Sequence, residues 1–270
     1  MKTDISNTIL ISDLDGTLLP RDGVVCKEDI AAIREYMALG GHFALATGRM
    51  PDMLDLAYEF GTNIPSIIGN GTVVYDMNTK KVLWERFLNP TVRVMLPDVM
   101  RAFETVCAEV RILDKLYIVR PNATFDWHNG WEKHKYTLVN DIENIYNCHK
   151  VLLLEEHGLL LQARDYIQSR YPDTFDFTFS CDVFLEIVPK GCTKGDTVAH
   201  LRELCGMPNH VLFAMGDYGN DVTMLKAADF SGCPENAIPI VRQTADMICA
   251  PVGKGAMSEF ITRIRRDFIV

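Results

Sequence analysis

The 270-residue sequence lacks any long apolar stretch. Its longest uninterrupted apolar runs are short, such as VLLL at 151–154, whereas a membrane-spanning helix needs roughly 18 or more apolar residues. The first residues, MKTDISNTILIS, also lack the apolar segment of a secretory signal peptide. We therefore expect a protein that has no membrane partner and that works in the cytoplasm.

The sequence also has little positive charge. Lys and Arg number 27 against 36 Asp and Glu, which gives a net charge of -9, and no basic run is longer than a pair such as Arg265-Arg266. Such a surface repels nucleic-acid phosphate and anionic lipid. We therefore expect no nucleic-acid partner, and any anionic substrate must be held by local cations.

No CxxC pair occurs among the cysteines. They are scattered along the chain as Cys26, Cys107, Cys148, Cys181, Cys192, Cys205, Cys233 and Cys249. This spacing does not fit a zinc site or a disulfide framework, and we interpret the cysteines as reduced, mostly buried thiols. The sequence contains no internal repeat, and its 48% hydrophobic content is that of an ordinary globular protein.

The first part of the chain alternates between strand and helix patterns. From residue 8 it reads as the strand TILIS, a helix near 27–39, the strand HFALA and a helix near 51–60. The segment that follows reads as a strand and a hairpin with MNTK as its turn. This βαβα order favours a parallel sheet.

The pattern changes between about 90 and 187. A helix over 91–109, short aromatic-rich strands and an amphipathic helix over 157–170 indicate an α+β segment. From Lys194 the βα alternation resumes and continues to the end. We predict an α/β fold with a Rossmann-like parallel-sheet core. The core comprises residues 1–86 and 187–270, and an inserted α+β domain comprises 87–186.

Two carboxylates, Asp13 and Asp15, follow the first predicted strand in the segment DLDGT. Alone, this segment also fits a hairpin turn, because Asp-Gly between apolar residues is a common turn signal. It does not fit an EF-hand calcium loop, since Leu18 stands where Gly is required and Val24 where Glu is required. The choice between a turn and a chemical site therefore depends on the rest of the chain.

Further polar clusters follow other predicted strands or begin helices. They are TGR at 47–49, Lys194 in GCTKGD, and Asp217 with Asp221 in GDYGND. Each has a plain structural interpretation as a helix cap, a solvated lysine or a polar turn. Open parallel sheets, however, gather ligand sites at the carboxyl ends of their strands. We therefore expect the clusters to converge at one edge of the sheet.

Four carboxylates cannot share a small volume in ionised form without a cation. Two like charges about 4 Å apart repel by roughly 4 kcal/mol at an intermediate dielectric constant. Oxygen ligands with no nearby His or Cys favour Mg²⁺ as that cation. Mg²⁺ and a lysine beside a hydroxyl and backbone amides make a phosphate site, in which one acid attacks phosphorus and the other moves the proton.

In these motifs and in their order, the sequence resembles the haloacid dehalogenase-like (HAD) superfamily of phosphohydrolases, specifically its Cof-type branch. The motifs are DLDGT, TGR, Lys194 in PKGCTKGD, and GDYGNDVTML. The similarity extends to Asn70-Gly71 and covers roughly 1–86 and 187–270. The insert shares no motif with the family. It resembles the family only in being an α/β cap domain placed between the second and third motifs. The resemblance implies that the core performs the chemistry and the cap selects the substrate.

The resemblance also implies residue roles. Asp13 would be the nucleophile that forms an aspartyl-phosphate, and Asp15 the general acid and then the base for the attacking water. The metal ligands would be Asp13, the Asp15 backbone carbonyl, Asp217 and Asp221, the last either directly or through metal-bound water. The phosphoryl group would be bound by the Leu14 amide, Thr47, the Gly48 amide, Lys194 and Asn220. Arg49 would be a further candidate for binding phosphate or substrate, and its side chain could face the cap, the substrate or solvent.

Two parts of the sequence depart from the family pattern or extend it. Tyr218 stands where small or amide residues are commoner, and Cys233-Pro234 replaces the usual small or apolar pair. In the insert, DWHNGWEKHKY brings together Trp127, His128, Trp131 and His134. This cluster could clasp a sugar or an aromatic ring, or it could pack in the core or at an interface.

We predict a Mg²⁺-dependent phosphohydrolase of small phosphorylated metabolites, such as sugar phosphates or pyridoxal phosphate. Two alternatives stay open at this point. One is a phosphomutase or phosphotransferase of the same superfamily, and the other is a non-enzymatic regulatory protein that retains the fold. The sequence gives no indication of an oligomeric state.

Overall fold

A computed structural model describes residues 2–132 and 135–270 of the chain. The strands are, in chain order, β1 Thr8–Ser12, β2 His42–Leu45, β3 Ser66–Ile68, β4 Val73–Asp76, β5 Lys81–Glu85, β6 Cys107–Ile112, β7 Lys115–Val119, β8 Thr137–Val139, β9 Lys150–Leu154, β10 Phe175–Cys181, β11 Phe184–Pro189, β12 Val211–Met215, β13 Phe230–Pro234 and β14 Met247–Cys249. The α-helices are α1 Lys27–Ala38, α2 Val92–Ala102, α3 Ala123–Glu132, α4 His157–Arg170, α5 Lys194–Leu204, α6 Val222–Ala227, α7 Pro239–Thr244 and α8 Ala256–Phe268. Short 3₁₀ helices cover Ile5–Asn7, Pro51–Met53, Asp55–Glu59, Gly69–Gly71 and Gly219–Asp221. Within the described residues, no helix has the length and apolar character that crossing a membrane requires.

The chain divides into two compact units. The core unit comprises Met1–Arg49, Leu54–Trp84 and Thr193–Val270, and the inserted unit comprises Met50–Met53 and Glu85–Cys192.

The core unit is built on a parallel sheet with the strand order β14-β13-β12-β1-β2. Every residue of the central strand β1 is buried, because helices cover both faces of such a sheet and make its strands apolar throughout. The strands β1 and β12 pair in register, with Ser12 opposite Met215. Their carboxyl ends are therefore level, and the polar segments that follow them begin at the same edge. The predicted parallel α/β core is confirmed.

The inserted unit contains a sheet with the strand order β10-β11-β9-β6-β7-β8. Its pairs are antiparallel except for β7 with β8. One face packs Val110, Leu153 and Ile187 against the helices α2 and α4. Since successive side chains alternate between faces, the neighbouring positions Glu109 and Glu186 lie on the opposite face. This α+β insert agrees with the fold class predicted from the sequence.

Two predicted helices end differently in the structure. The helix predicted over 91–109 ends at Ala102, and Cys107–Ile112 form strand β6 instead, because β6 pairs with both β7 and β9. Helix propensity is a weak preference that such tertiary pairing overrides. The helix predicted over 51–60 is two 3₁₀ helices that are separated at Leu54, where the chain passes from the inserted unit to the core unit.

The close packing of α5 on α6 depends on Gly195. A Cβ built at Gly195 would lie 2.4 Å from the backbone carbonyl carbon and oxygen of Thr223, a distance that no real Cβ tolerates. We expect Gly195→Ala to lower the free energy of unfolding by about 1–3 kcal/mol, since overpacking forces the two helices apart. Urea unfolding would measure the change.

Gly130→Ala is the matched control for that substitution. Gly130 lies in helix α3, and among the described residues no atom lies within 4 Å of a Cβ built there, apart from its chain neighbours and the backbone of its own helix. Because alanine favours helix over glycine by about 1 kcal/mol, this variant should be as stable as the wild type or more so. Equal stability of the Gly195→Ala and Gly130→Ala variants would contradict the proposed role of Gly195.

Candidate active site

The polar segments predicted from the sequence meet at the carboxyl edge of the core sheet. Asp13 directly follows β1, and its N–H donates to the carbonyl of Met215 at the end of β12 over 2.9 Å. Asp217 lies two residues after β12, and Lys194 is the first residue of α5. Asp221 ends the 3₁₀ helix that precedes α6. The parallel order of the strands thus brings together residues that lie up to about 200 positions apart.

Lys194 joins two of the carboxylates. Its Nζ donates to Asp13 Oδ1 over 2.6 Å and to Asp221 Oδ1 over 2.7 Å, and the lysine is fully buried. A capping box between Thr193 and Asp196 fixes the start of α5 and so places the lysine. Burial alone would lower the pKa of Lys194, but the two carboxylates outweigh burial and raise it. The lysine therefore stays charged between its partners.

The remaining site carboxylates are also fixed by hydrogen bonds. Thr17 Oγ1 donates to Asp217 Oδ1 over 2.8 Å. The N–H groups of Asp217 and Tyr218 donate to Asp221 Oδ2 over 2.9 and 3.1 Å. Gly16 makes this arrangement possible, because it has φ +84° and a Cβ there would lie 2.4 Å from Asp217 Oδ2. Glycine is thus required at this position of the DLDGT motif.

Asp13, Asp217 and Asp221 form a buried acidic cluster. One ligand oxygen from each lies within 4.8 Å of the others. Three ionised carboxylates and one lysine leave a net charge of -2 on these groups. Burial and the charge of Asp221 accordingly raise the pKa of Asp13, and they raise that of Asp217 to about 7. A divalent cation would cancel the excess charge, and hard cations prefer carboxylate oxygens, so the cluster fits such an ion.

The two acids of the DLDGT motif have opposite environments. The side chain of Asp13 is 7% exposed and is paired with Lys194, whereas that of Asp15 is 52% exposed. Arg49 donates to both oxygens of Asp15, from Nε to Oδ2 and from Nη2 to Oδ1, each over 2.8 Å. The intervening Leu14 is completely buried and anchors the loop. Sequence analysis did not identify this pairing and left the direction of Arg49 open.

Three of the residues predicted to bind a phosphoryl group, Thr47, Gly48 and Asn220, lie around Asn70. Thr47 is buried, and its Oγ1 accepts from the Arg49 N–H over 3.1 Å. Asn220 Nδ2 donates to Asn70 Oδ1 over 3.0 Å. A Cβ built on Gly48 would lie 3.1 Å from Asn70 Nδ2, so the two residues are adjacent. Asn70 was not among the predicted site residues. Its signals in the sequence were its place after the third strand and the extension of the family similarity to Asn70-Gly71.

The aromatic cluster predicted in the insert is described only in part. Trp127 is exposed, and His128 Nδ1 lies 3.0 Å from Glu109 Oε1. The ring of Phe184 packs against both aromatic residues, with its centroid 6.3 Å from that of Trp127 and 4.6 Å from that of His128. The side chain of Trp131 and the whole of His134 lie outside the described part of the chain.

The family model of the haloacid dehalogenase-like hydrolases matches residues 10–261, which is most of the chain. The chain belongs to this family of hydrolases. This confirms the resemblance drawn from the four motifs and the prediction of an enzyme.

Individual relatives agree with that assignment. An HMP-PP phosphatase of Yersinia enterocolitica is 26% identical over 242 residues, which cover 86% of this chain and 85% of that protein. A haloacid dehalogenase-like hydrolase of Bacteroides thetaiotaomicron has a solved structure with a TM-score of 0.81 and 22% identity, covering 95% of this chain and 99% of that one. A sugar phosphatase of HAD subclass IIB has a TM-score of 0.86 at 17% identity, covering 95% and 98%. At these identities the structural likeness shows the fold.

The raised pKa of Asp217 predicts how stability depends on pH in metal-free protein. In the folded chain Asp217 holds its proton up to about pH 7, whereas in the unfolded chain it releases that proton near pH 3.8. Asp217 therefore makes an unfavourable contribution to the free energy of unfolding, and this contribution grows as the pH rises from 3.8 to about 7. Asp217→Asn removes that contribution. We expect its stability, relative to the wild type, to rise by about 2 kcal/mol between pH 5 and pH 8.

Urea unfolding with a chelator present would measure this difference. Because the two proteins differ only at position 217, subtracting one from the other gives the contribution of that carboxyl together with its effect on the neighbouring Asp13. A difference that is the same at pH 5 and pH 8 would show that the Asp217 carboxyl does not titrate between these pH values.

Proposed function

We propose that this protein is a Mg²⁺-dependent phosphohydrolase of small phosphorylated metabolites that works through an aspartyl-phosphate on Asp13. The observation that carries the proposal is the buried carboxylate of Asp13, held by the Lys194 ammonium beside a cluster of acids that needs a cation. We also propose that it works in the cytoplasm, where a reducing environment suits a chain with eight cysteines and no CxxC pair.

The proposed first step forms the covalent intermediate. A carboxylate oxygen of Asp13 attacks phosphorus, and the bond from phosphorus to the leaving oxygen breaks as the new bond forms. Asp15 gives its proton to that leaving oxygen, a transfer that its partial exposure permits. Lys194, Thr47 and the amide of Gly48 stabilise the charge on the transferring group.

The second step releases phosphate. Asp15, now ionised, takes a proton from water while the water oxygen attacks the phosphorus of the intermediate. The bond to Asp13 breaks, which restores its carboxylate and frees inorganic phosphate. In this second step the two contacts from Arg49 hold the ionised Asp15 carboxylate in one orientation. In the first step the proton of Asp15 occupies one of the two oxygens, so one of these contacts is released.

The residues that would hold Mg²⁺ are Asp13, Asp217, Asp221 and the backbone carbonyl of Asp15. Three of them supply the clustered carboxylate oxygens, and oxygen is the ligand that Mg²⁺ prefers. When bound, the ion supplies positive charge that offsets the acids and the phosphoryl oxygens. The names of the relatives, an HMP-PP phosphatase and a sugar phosphatase, support a small phosphorylated substrate.

We further propose that residues 1–86 and 187–270 perform the chemistry and that 87–186 select the leaving group. Buried charges on one face of the inserted sheet support this division. Lys150 Nζ donates to Glu186 Oε2 over 2.9 Å, and Arg111 Nη1 donates to Asp52 Oδ2 over 3.2 Å. Buried ion pairs contribute little to stability because desolvation offsets their attraction. Selection of a polar leaving group would explain why they are present.

Asp13→Asn should abolish hydrolysis of a generic aryl phosphate. The amide cannot act as a nucleophile, so we expect kcat to fall by roughly 10³-fold or more with the fold intact. A chelator should abolish wild-type activity, and added Mg²⁺ should restore it. Phosphate release and circular dichroism would be measured on the same preparations.

Asp22→Asn is the matched control, because it makes the same chemical change at an exposed residue nearby in sequence. It should retain wild-type turnover. Turnover by Asp13→Asn at the wild-type rate would overturn the assignment of the nucleophile, and wild-type activity that survives the chelator would overturn the requirement for Mg²⁺.

Replacing the Lys150–Glu186 pair should change substrate preference without changing the chemistry. Lys150→Met with Glu186→Gln removes both charges, so neither is left buried and unpaired. We expect KM for the best metabolite phosphate to rise by roughly 10-fold, as for loss of one charged hydrogen bond of about 1.5–3 kcal/mol. Hydrolysis of a small aryl phosphate should change much less. A panel of metabolite phosphates would be assayed.

The exposed pair of Lys190 and Asp176 provides the control. Its Nζ to Oδ1 distance is 2.8 Å, and it belongs to the same unit. Lys190→Met with Asp176→Asn should leave the order of preferred substrates unchanged. Equal effects of the two double variants on every substrate would contradict a selective role for the buried pair.

A further inference from the structure

The turn at residues 69–71 connects several motif segments of the core unit. Its N–H groups donate to the carbonyl of Arg49 over 2.9 Å and to that of Thr47 over 3.0 Å. Its last carbonyl accepts from Thr197 Oγ1 over 2.7 Å, one turn into the helix that begins with Lys194. The turn therefore ties the TGR segment to the lysine-bearing helix.

The side chain of Asn70 extends this connection to the fourth motif. Its Oδ1 accepts from Asn220 Nδ2, and its carboxamide lies against Gly48, whose built Cβ would be 3.1 and 3.2 Å from the two amide atoms. Asn70 is 1% exposed, so its carboxamide is closed off from solvent. Two of the groups predicted to bind phosphate, Gly48 and Asn220, thus share one buried neighbour.

Asn70 carries two features that destabilise the folded state. Its backbone is left-handed, with φ 60° and ψ 27°, a region that residues other than glycine seldom adopt and that asparagine tolerates better than most. Its Nδ2 is buried and has no hydrogen-bond partner among the described residues. Both features are unfavourable, and features of this kind concentrate at functional sites. Packing alone does not account for them.

We propose that Asn70 is a positioning residue for phosphoryl transfer, an inference that rests on the function proposed above. Because it is buried, Asn70 acts through its neighbours. By accepting one N–H of Asn220 Nδ2, it fixes that amide and directs the second N–H toward a phosphoryl oxygen. By filling the space beside Gly48, it fixes the backbone whose N–H is expected to bind the same group.

A double-mutant cycle with Asn70→Gly and Asn220→Ala tests this coupling. Glycine adopts the left-handed backbone freely, so Asn70→Gly removes the carboxamide and leaves the turn intact. We expect each single variant to lower kcat/KM for an aryl phosphate by on the order of 10- to 100-fold, the range for lost positioning contacts. The double variant should lose less than the product of the two single losses, because the part of the Asn70 effect that passes through Asn220 is already lost in Asn220→Ala. Thermal unfolding would confirm that each variant is folded.

The control is Asn147→Gly. Asn147 is also left-handed, with φ 56°, but it is exposed and belongs to the inserted unit, so activity should be unchanged. A wild-type kcat/KM in Asn70→Gly would overturn the proposal, and so would losses that multiply in the double variant. Wild-type protein that hydrolyses no phosphate ester would instead overturn the proposed function.

Asn70→Asp provides a second, nearly isosteric variant should the glycine variant not fold. Its carboxylate would repel the phosphoryl group when ionised and would resemble the amide when protonated. The ratio of variant to wild-type kcat/KM should therefore rise as the pH falls from 8 to 5. A ratio that does not change with pH would contradict the proposed coupling between position 70 and the phosphoryl group.

Discussion

The structure of the site depends on one buried ammonium group. Lys194 Nζ donates to Asp13 and Asp221, which come from segments nearly the whole length of the domain apart. An uncompensated charge at this depth would be strongly unfavourable, so each partner requires the others. The adjacency of β1 and β12 and the start of α5 are the structural conditions for that contact. The sheet order and the chemistry are therefore linked through one side chain.

The same contact leaves the site with an excess of negative charge. One lysine balances only one of the three clustered carboxylates, and burial together with the charge of Asp221 raises the pKa values of Asp13 and Asp217. A protein core without a function would relieve this repulsion by substituting an amide. Retaining the acids is understandable if a cation and an anionic phosphoryl group enter together, because each then offsets the charge of the other.

The sequence predicted the parts of the site that lie directly after strands or at a helix start. Asp13, Thr47, Lys194 and Asp217 could be located in this way, because strand ends in a parallel sheet share one edge. Contacts between separate segments were not predictable. The Arg49 pairing with Asp15 spans 34 positions, and the contact of Asn70 with Asn220 spans 150. Neither leaves a periodic pattern in the sequence.

The fold, like the site, was predictable where it depends on local patterns and not where it depends on contacts between distant segments. The parallel core and the mixed insert were recognisable from the alternation of elements, as was the MNTK turn between β4 and β5. The helix over 91–109 was predicted too long, because the second half of that segment is a central strand of the inserted sheet. Local preference near Val106 cannot reveal partners such as β9 that lie about 40 residues further on.

The short segment Met50–Met53 belongs to the inserted unit although it lies far from that unit in the sequence. The chain therefore passes between the two units four times, at residues 49/50, 53/54, 84/85 and 192/193. The inserted unit is therefore not one continuous segment of the chain. A chimaera that exchanged only 85–192 would keep Asp52 from one parent and take the partner at position 111 from the other. Compatible exchange during evolution or in design therefore requires Met50–Met53 and Glu85–Cys192 to change together.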